Sequence, residues 1–200
     1  ITFGITPLDG TVKTINLTSA LPTIVHPLAI DGLTQNGASC SAPKVELNGT
    51  SAGAGADGLT FTSDNNLAQG LVVNRYLGDG MIFDSSLTNK IRCNRIGTNA
   101  AGTAVSANGG SGIFLVTSHF NVIEQNLLSG NGGSGLRTSI AQYNTIQGNV
   151  IGLNAGGTAV LPNTSGGILL VGGHSNVVGG TTTLDKYTIG FYPKIVECSA

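Results

Sequence analysis

Residues Asn89–Val105 read NKIRCNRIGTNAAGTAV, and residues 144–160 read NTIQGNVIGLNAGGTAV. Most of the seventeen positions are identical across a step of fifty-five residues. The step continues beyond this stretch, because SGIFLVTSHFNVI at 111–123 returns as GGILLVGGHSNVV at 166–178. A finer grain lies inside it, marked by a glycine followed by an apolar residue: Gly58-Leu59, Gly80-Met81, Gly112-Ile113, Gly135-Leu136, Gly167-Ile168 and Gly190-Phe191. The intervals are 22, 32, 23, 32 and 23 residues.

A repeat of about 22 residues, too short to bury a core alone, must stack on its neighbours and form a solenoid. The 32-residue intervals are then coils that carry a loop about ten residues longer. That loop is the quoted motif itself, and its Gly, Asn, Ala and Thr content suits turns. Strands of the form Asn-x-Ile-x-x-Asn-x-Ile send alternate apolar side chains inward. Ile91, Ile96, Ile123, Ile146 and Ile151 are therefore expected to stack in rows inside a cylinder. Asn tolerates the left-handed conformation between strands, and its amide can bond the same amide one coil away. Two asparagine ladders are predicted: Asn94, Asn126 and Asn149 in one, and Asn89, Asn121, Asn144 and Asn176 in the other.

Helical periodicity is nearly absent, whereas KTINLT, PLAIDG, KVELNG and DGLTFTS read as short strands between Pro and Gly breaks. The fold predicted is all-β: one right-handed parallel β-helix of about seven or eight coils. Residues 1–56 would form the first coils, 57–182 the regular repeats, and 183–200 a divergent terminal coil or cap. The alternation of Ile189, Phe191 and Ile195 reads as a further strand.

Composition narrows the functional classes. Charged residues are 10% of 200 and the formal net charge is −1, which leaves no electrostatic footprint for nucleic acid. No apolar run is long enough to span a membrane. Three cysteines, none at Cys-x-x-Cys spacing, do not make a metal set, and no metal or cofactor is expected. The absence of Trp, with only four Tyr, leaves few rings for stacking on sugars.

The segments TINLTSALPTIVHPLAIDGLTQNG, VELNGTSAGAGADGLTF and NRIGTNAAGTA resemble bacterial secreted right-handed parallel β-helix repeat proteins, in many of which such a module follows a CSLREA-type segment. The resemblance covers roughly residues 1–182, and TLDKYTIGFYPKIVECSA departs from it. It implies a secreted or cell-surface location and no particular reaction. The wider pectate-lyase-like superfamily includes polysaccharide lyases and hydrolases, but a fold does not by itself carry an activity.

Were the chain an enzyme, its acids would be Asp57 and Asp79, which precede equivalent glycines, with Asp84 on the following strand. Its bases would be Arg75, Arg95, Lys90 or Arg92, of which Arg75 and Arg95 each follow a motif Asn and are expected to stack outward on adjacent coils. His119 and His174 are equivalent positions without an evident partner. Asn16, Asn48 and Asn163 fit the N-glycosylation acceptor pattern, with Asn163 on the long loop and the most accessible. An outward Arg92–Glu124 contact between neighbouring coils is also expected.

The role expected is that of a structural or adhesive extracellular module, with polysaccharide binding or cleavage as the alternative. The partners would be other copies of the chain or an extracellular polysaccharide. The chain opens in the strand-like ITF and closes in YTIGFYPKIVECSA. Open strand edges at both ends suggest head-to-tail stacking into a filament. Cys40 on an early coil and Cys198 at the far end would then meet between chains as an intermolecular disulfide.

Overall fold

The computed structural model describes residues 1–179, together with the backbone of strands Thr188–Ile189 and Ile195–Cys198. The strands fall into three parallel sheets, and from Val45 onward successive strands visit the three sheets in turn. The first sheet stacks Lys13–Asn16, Val45–Asn48, Leu71–Asn74, Arg95–Ile96, Leu127–Leu128, Val150–Ile151 and Thr188–Ile189. The second stacks Leu59–Phe61, Met81–Asp84, Ile113–Val116, Ser134–Ser139, Gly166–Val171 and Ile195–Cys198. The third stacks Ala29–Asp31, Leu67–Gln69, Lys90–Arg92, Val122–Glu124, Thr145–Gln147 and Val177–Val178. The one helical segment among the described residues is a single 3₁₀ turn, Gly32–Thr34.

The repeat arithmetic sets the register. Leu59, Met81, Ile113, Leu136 and Ile168 are successive partners in the second sheet, at the steps of 22, 32, 23 and 32 read from the sequence. The last step differs, since Ile168 pairs with Ile195 rather than with Phe191. Gly190 and Phe191 lie outside the described residues. Thr188–Ile189 and Ile195–Cys198 belong to different sheets, so the end of the chain forms two strands and not one.

Parallel pairing in register stacks like on like, and that builds the core. In the third sheet Ala68, Ile91, Ile123, Ile146 and Val178 form one inward row; in the first, Val73, Ile96, Leu128 and Ile151 form another. The five predicted isoleucines are completely buried. Each such side chain contributes about 1.5–3 kcal/mol by leaving water. Phe61 and Phe83 stack within the cylinder at 4.5 Å.

Between strands the chain must turn and still satisfy its polar groups, and the asparagines do this. Asn126 Oδ1 accepts from both the backbone and side-chain nitrogens of Asn94, and Asn126 Nδ2 donates to Ile91 O and to Asn149 Oδ1. Both predicted ladders form, and the one through Asn89, Asn121, Asn144 and Asn176 extends back to Asn66. A third ladder, Asn108–Asn131–Asn163, was not predicted, although its steps of 23 and 32 residues follow the same arithmetic. Close approach fixes glycine at Gly49, where a Cβ would fall 2.4 Å from the Tyr76 ring.

The repeated loop is a small antiparallel excursion, closed by bridges Thr98–Val105 in one coil and Leu153–Val160 in the other. In each, the asparagine of the NA-x-GTAV motif holds the turn: Asn99 Oδ1 accepts from Thr103 N, and Asn154 Oδ1 from Thr158 N. The second loop rests on the first through Ala155 N donating to Gly102 O. These loops and the segment Ser39–Ala42 leave Val72, Arg95 and Leu127 buried on the outer side of the first sheet.

Candidate functional site

Two of the candidate acids, Asp57 and Asp79, carry out structural work between coils. Asp57 Oδ1 accepts from Asp79 N at 2.7 Å, Asp79 Oδ1 from Ser111 N, and Ser111 Oγ from Ser134 N at 3.3 Å. Successive side chains thus cap the backbone of the next coil. Burial raises the pKa of Asp79, with the charge of Asp57 adding to this and the Ser111 N–H opposing it. Asp84 lies half-buried on the outer side of the second sheet and accepts from Ser85 Oγ. The structure therefore brings Asp57 and Asp79 into neighbouring coils, as expected, and gives each a backbone partner.

His119 is likewise partnered, since its Nδ1 accepts from Gln142 N at 3.0 Å. His174 bonds Ser175 Oγ and meets the Tyr143 ring edge-on. Tyr143 in turn stacks face to face with Phe120 at 5.0 Å. Each ring occupies one face of the other, which spends surface that a sugar-stacking platform would present.

The arginines depart from expectation. Arg75 donates to Glu46 and to Asn74, and forms an ion pair at 3.3 Å. Burial pushes the Glu46 pKa up, but bonds from Thr14 and Asn74 and the charge of Arg75 outweigh it and hold the carboxyl below its ordinary value. Arg95 is not stacked on Arg75. Its sheet partners are Val72 and Leu127, and the covering loops leave it 8% exposed. Following a motif Asn did not fix a common position, because Asn74 ends its strand while Asn94 precedes its own. The Arg92–Glu124 register is as predicted, but the side chains choose other partners. Arg92 Nε donates to Gln69 Oε1 one coil back, and Lys90 pairs with Glu124 at 2.9 Å.

The cysteine expectation is overturned. Cys40 is bonded to Cys93 within the chain, across a sequence separation of 53. The long excursion between strands Ala29–Asp31 and Val45–Asn48 brings Cys40 onto the corner that carries Cys93, which spacing alone did not reveal. Cys198 aligns with Val171 at the far end of the second sheet. Asn163 is also corrected. It is 5% exposed, and its amide is engaged on the third ladder, so it is not the accessible acceptor. Asn16 is exposed and Asn48 half-buried, with the Asn48 amide donating to Asn16.

The cleft of note opens beside the disulfide, with a volume of about 360 Å³. Cys40 and Ser41 form one wall, Ala155 stands at the other, and Arg95, Leu127 and Val150 lie on the floor. Those three floor residues are successive outward positions of the first sheet. The guanidinium donates to the backbone carbonyls of Ala100 and Ser41. The cleft thus combines one cation with the apolar side chains of Leu127, Val150 and Ala155.

Comparison with protein families agrees with the geometry. The model of the right-handed β-helix region matches residues 103–199, just under half of the chain. The chain is a right-handed parallel β-helix. No curated protein sequence and no solved structure gives a significant match. Within the β-helix, no helix among the described residues is long and apolar enough to cross a membrane.

Proposed function

We propose that this β-helix is a structural or adhesive module of the cell exterior, a rigid rod that displays surfaces and loops. The observation that carries the reading is how its chemistry-bearing side chains are used. Asp57, Asp79 and His119 each accept from the backbone of the next coil, and three asparagine ladders fasten coil to coil. Groups committed in this way contribute to stiffness and are poorly free to transfer protons. The Cys40–Cys93 disulfide supports an oxidising, extracellular setting.

The test is to offer the purified protein a panel of extracellular polysaccharides and matrix-coated surfaces, scoring retention and bond cleavage separately. Retention without new reducing ends or unsaturated products is the result expected. Cleavage that persists through purification would replace this reading with that of a polysaccharide-degrading enzyme, in which Asp57, Asp79, Asp84, Arg75 and Arg95 would be the first residues to vary.

A further inference from the structure

Arg95 is a cation, 8% exposed, that the described residues leave without an ion pair. Three ion pairs form among the described residues, Lys13–Asp9, Arg75–Glu46 and Lys90–Glu124, and none includes Arg95. Its guanidinium gives one N–H to Ala100 O and one to Ser41 O, both neutral. A guanidinium has five N–H donors, so three remain. Burial alone lowers its pKa, with no carboxylate opposing that effect. A cation drawn out of water without a counter-ion is costly, and an incoming anion relieves that cost.

The rest of the cleft narrows what that anion can be. Leu127 and Val150 supply an apolar floor and Ala155 an apolar rim. Asn94 and Asn126 also line it, their amides engaged in the ladder, as does Ser41, whose hydroxyl meets that of Ser39, while Gln125 adds one exposed amide. A ligand ringed with hydroxyls would leave most of them unpaired here, at a penalty for each. A ligand with one charge and an apolar body would not. The volume of about 360 Å³ lies at the small end for ligand sites.

We propose that the Arg95 cleft binds a monocarboxylate with a short apolar body, the carboxylate on the spare N–H groups of Arg95 and the body over Leu127 and Val150. Planar guanidinium and planar carboxylate match as donor and acceptor pairs. A free organic acid and the C-terminus of a polypeptide ending in an apolar residue present this same chemistry. The site stands independently of the structural role proposed above, and failure of either leaves the other in place.

The experiment titrates ¹⁵N-labelled protein with 4-methylpentanoate, a free acid, and with N-acetyl-leucine, a mimic of a polypeptide terminus. The corresponding amides serve as uncharged controls. The expected result is saturable binding of an acid, about tenfold or more tighter than its amide, with shifts at Gln125, Gly148 and Ala155. Arg95→Gln should abolish it. Ala155→Phe, at an exposed loop position, should weaken it by filling the cleft while leaving the remaining spectrum unchanged. Tighter binding of N-acetyl-leucine would assign the polypeptide terminus as the natural source, and the reverse order a free acid. Failure of both acids to saturate would overturn the proposal, as would equal binding of acid and amide, or shifts confined to another face. Should Arg95→Gln not fold, the acid-to-amide ratio and Ala155→Phe decide between these outcomes.

Discussion

Truncating Asn126 to alanine tests whether the asparagine ladders hold the coils together. The side chain is 1% exposed and makes four hydrogen bonds: two accepted from Asn94, and one each donated to Ile91 O and Asn149 Oδ1. Some partners keep a second bond in the variant. Asn94 Nδ2 retains Ala68 O, and Asn149 Oδ1 retains Asn126 N. The Asn94 backbone N–H has no such substitute and becomes a buried donor without an acceptor, at about 1–3 kcal/mol. The three bonds lost elsewhere add about 1 kcal/mol each, for a total of about 4–6 kcal/mol. Asn126→Asp supplies a second signature. The carboxylate still accepts from Asn94 but faces Ile91 O and Asn149 Oδ1 with no proton to share, so its folded pKa should rise. Stability of that variant should therefore be greatest at low pH and fall as pH rises from the unfolded carboxylate value through the folded one. Urea denaturation measures both variants against Asn154→Ala, whose side chain serves only the long loop. A loss for Asn126→Ala no larger than that for Asn154→Ala would refute the reasoning.

Four further outcomes are expected. Ile146→Ala should cost about 2–5 kcal/mol by leaving a cavity between Ile123 and Val178, whereas excising 155–162, a mostly exposed loop, should shift the thermal midpoint only slightly; comparable losses would contradict the division into core and loop. Reducing Cys40–Cys93, which closes a loop with sequence separation 53, should remove about 4 kcal/mol in the chain-entropy account, and an unchanged midpoint in reductant would show that the bond is absent or idle. Glu46, with its lowered pKa, contributes stability that is present above its unfolded value and lost as pH falls through the folded one; Glu46→Gln should flatten the acid limb of the stability profile, measured by urea titration across that range. The Tyr76 hydroxyl is buried without a partner, and burial pushes its pKa up to about 12, so Tyr76→Phe should hold or raise stability, and a clear loss in calorimetry would reveal a hidden partner.

The repeat legible in Asn89–Val105 and 144–160 determined most of the architecture by itself. Steps of 22, 23 and 32 residues set the register of the second sheet, alternation placed Ile91, Ile123 and Ile146 inside, and recurring asparagines marked two ladders. A solenoid is readable in this way because each coil contacts only its neighbours, so position along the chain converts directly into position along the axis. The third ladder obeyed the same steps and was legible too, but Asn163 was assigned to the long loop and so to the surface. What escaped the sequence lies where distance along the chain and distance in space part company. Cys40 reaches Cys93 because an irregular early excursion folds back over a corner, and nothing in the repeat encodes that path. Lys90 chose its partner by side-chain reach across coils, and Arg95 was buried by its own coil's loop at Ala100 together with the distant segment at Ser41. Periodicity specified the backbone because every coil must satisfy the same pairing. The cleft arose only in the tertiary structure, because its wall at Cys40 and Ser41 comes from a part of the chain outside the repeat.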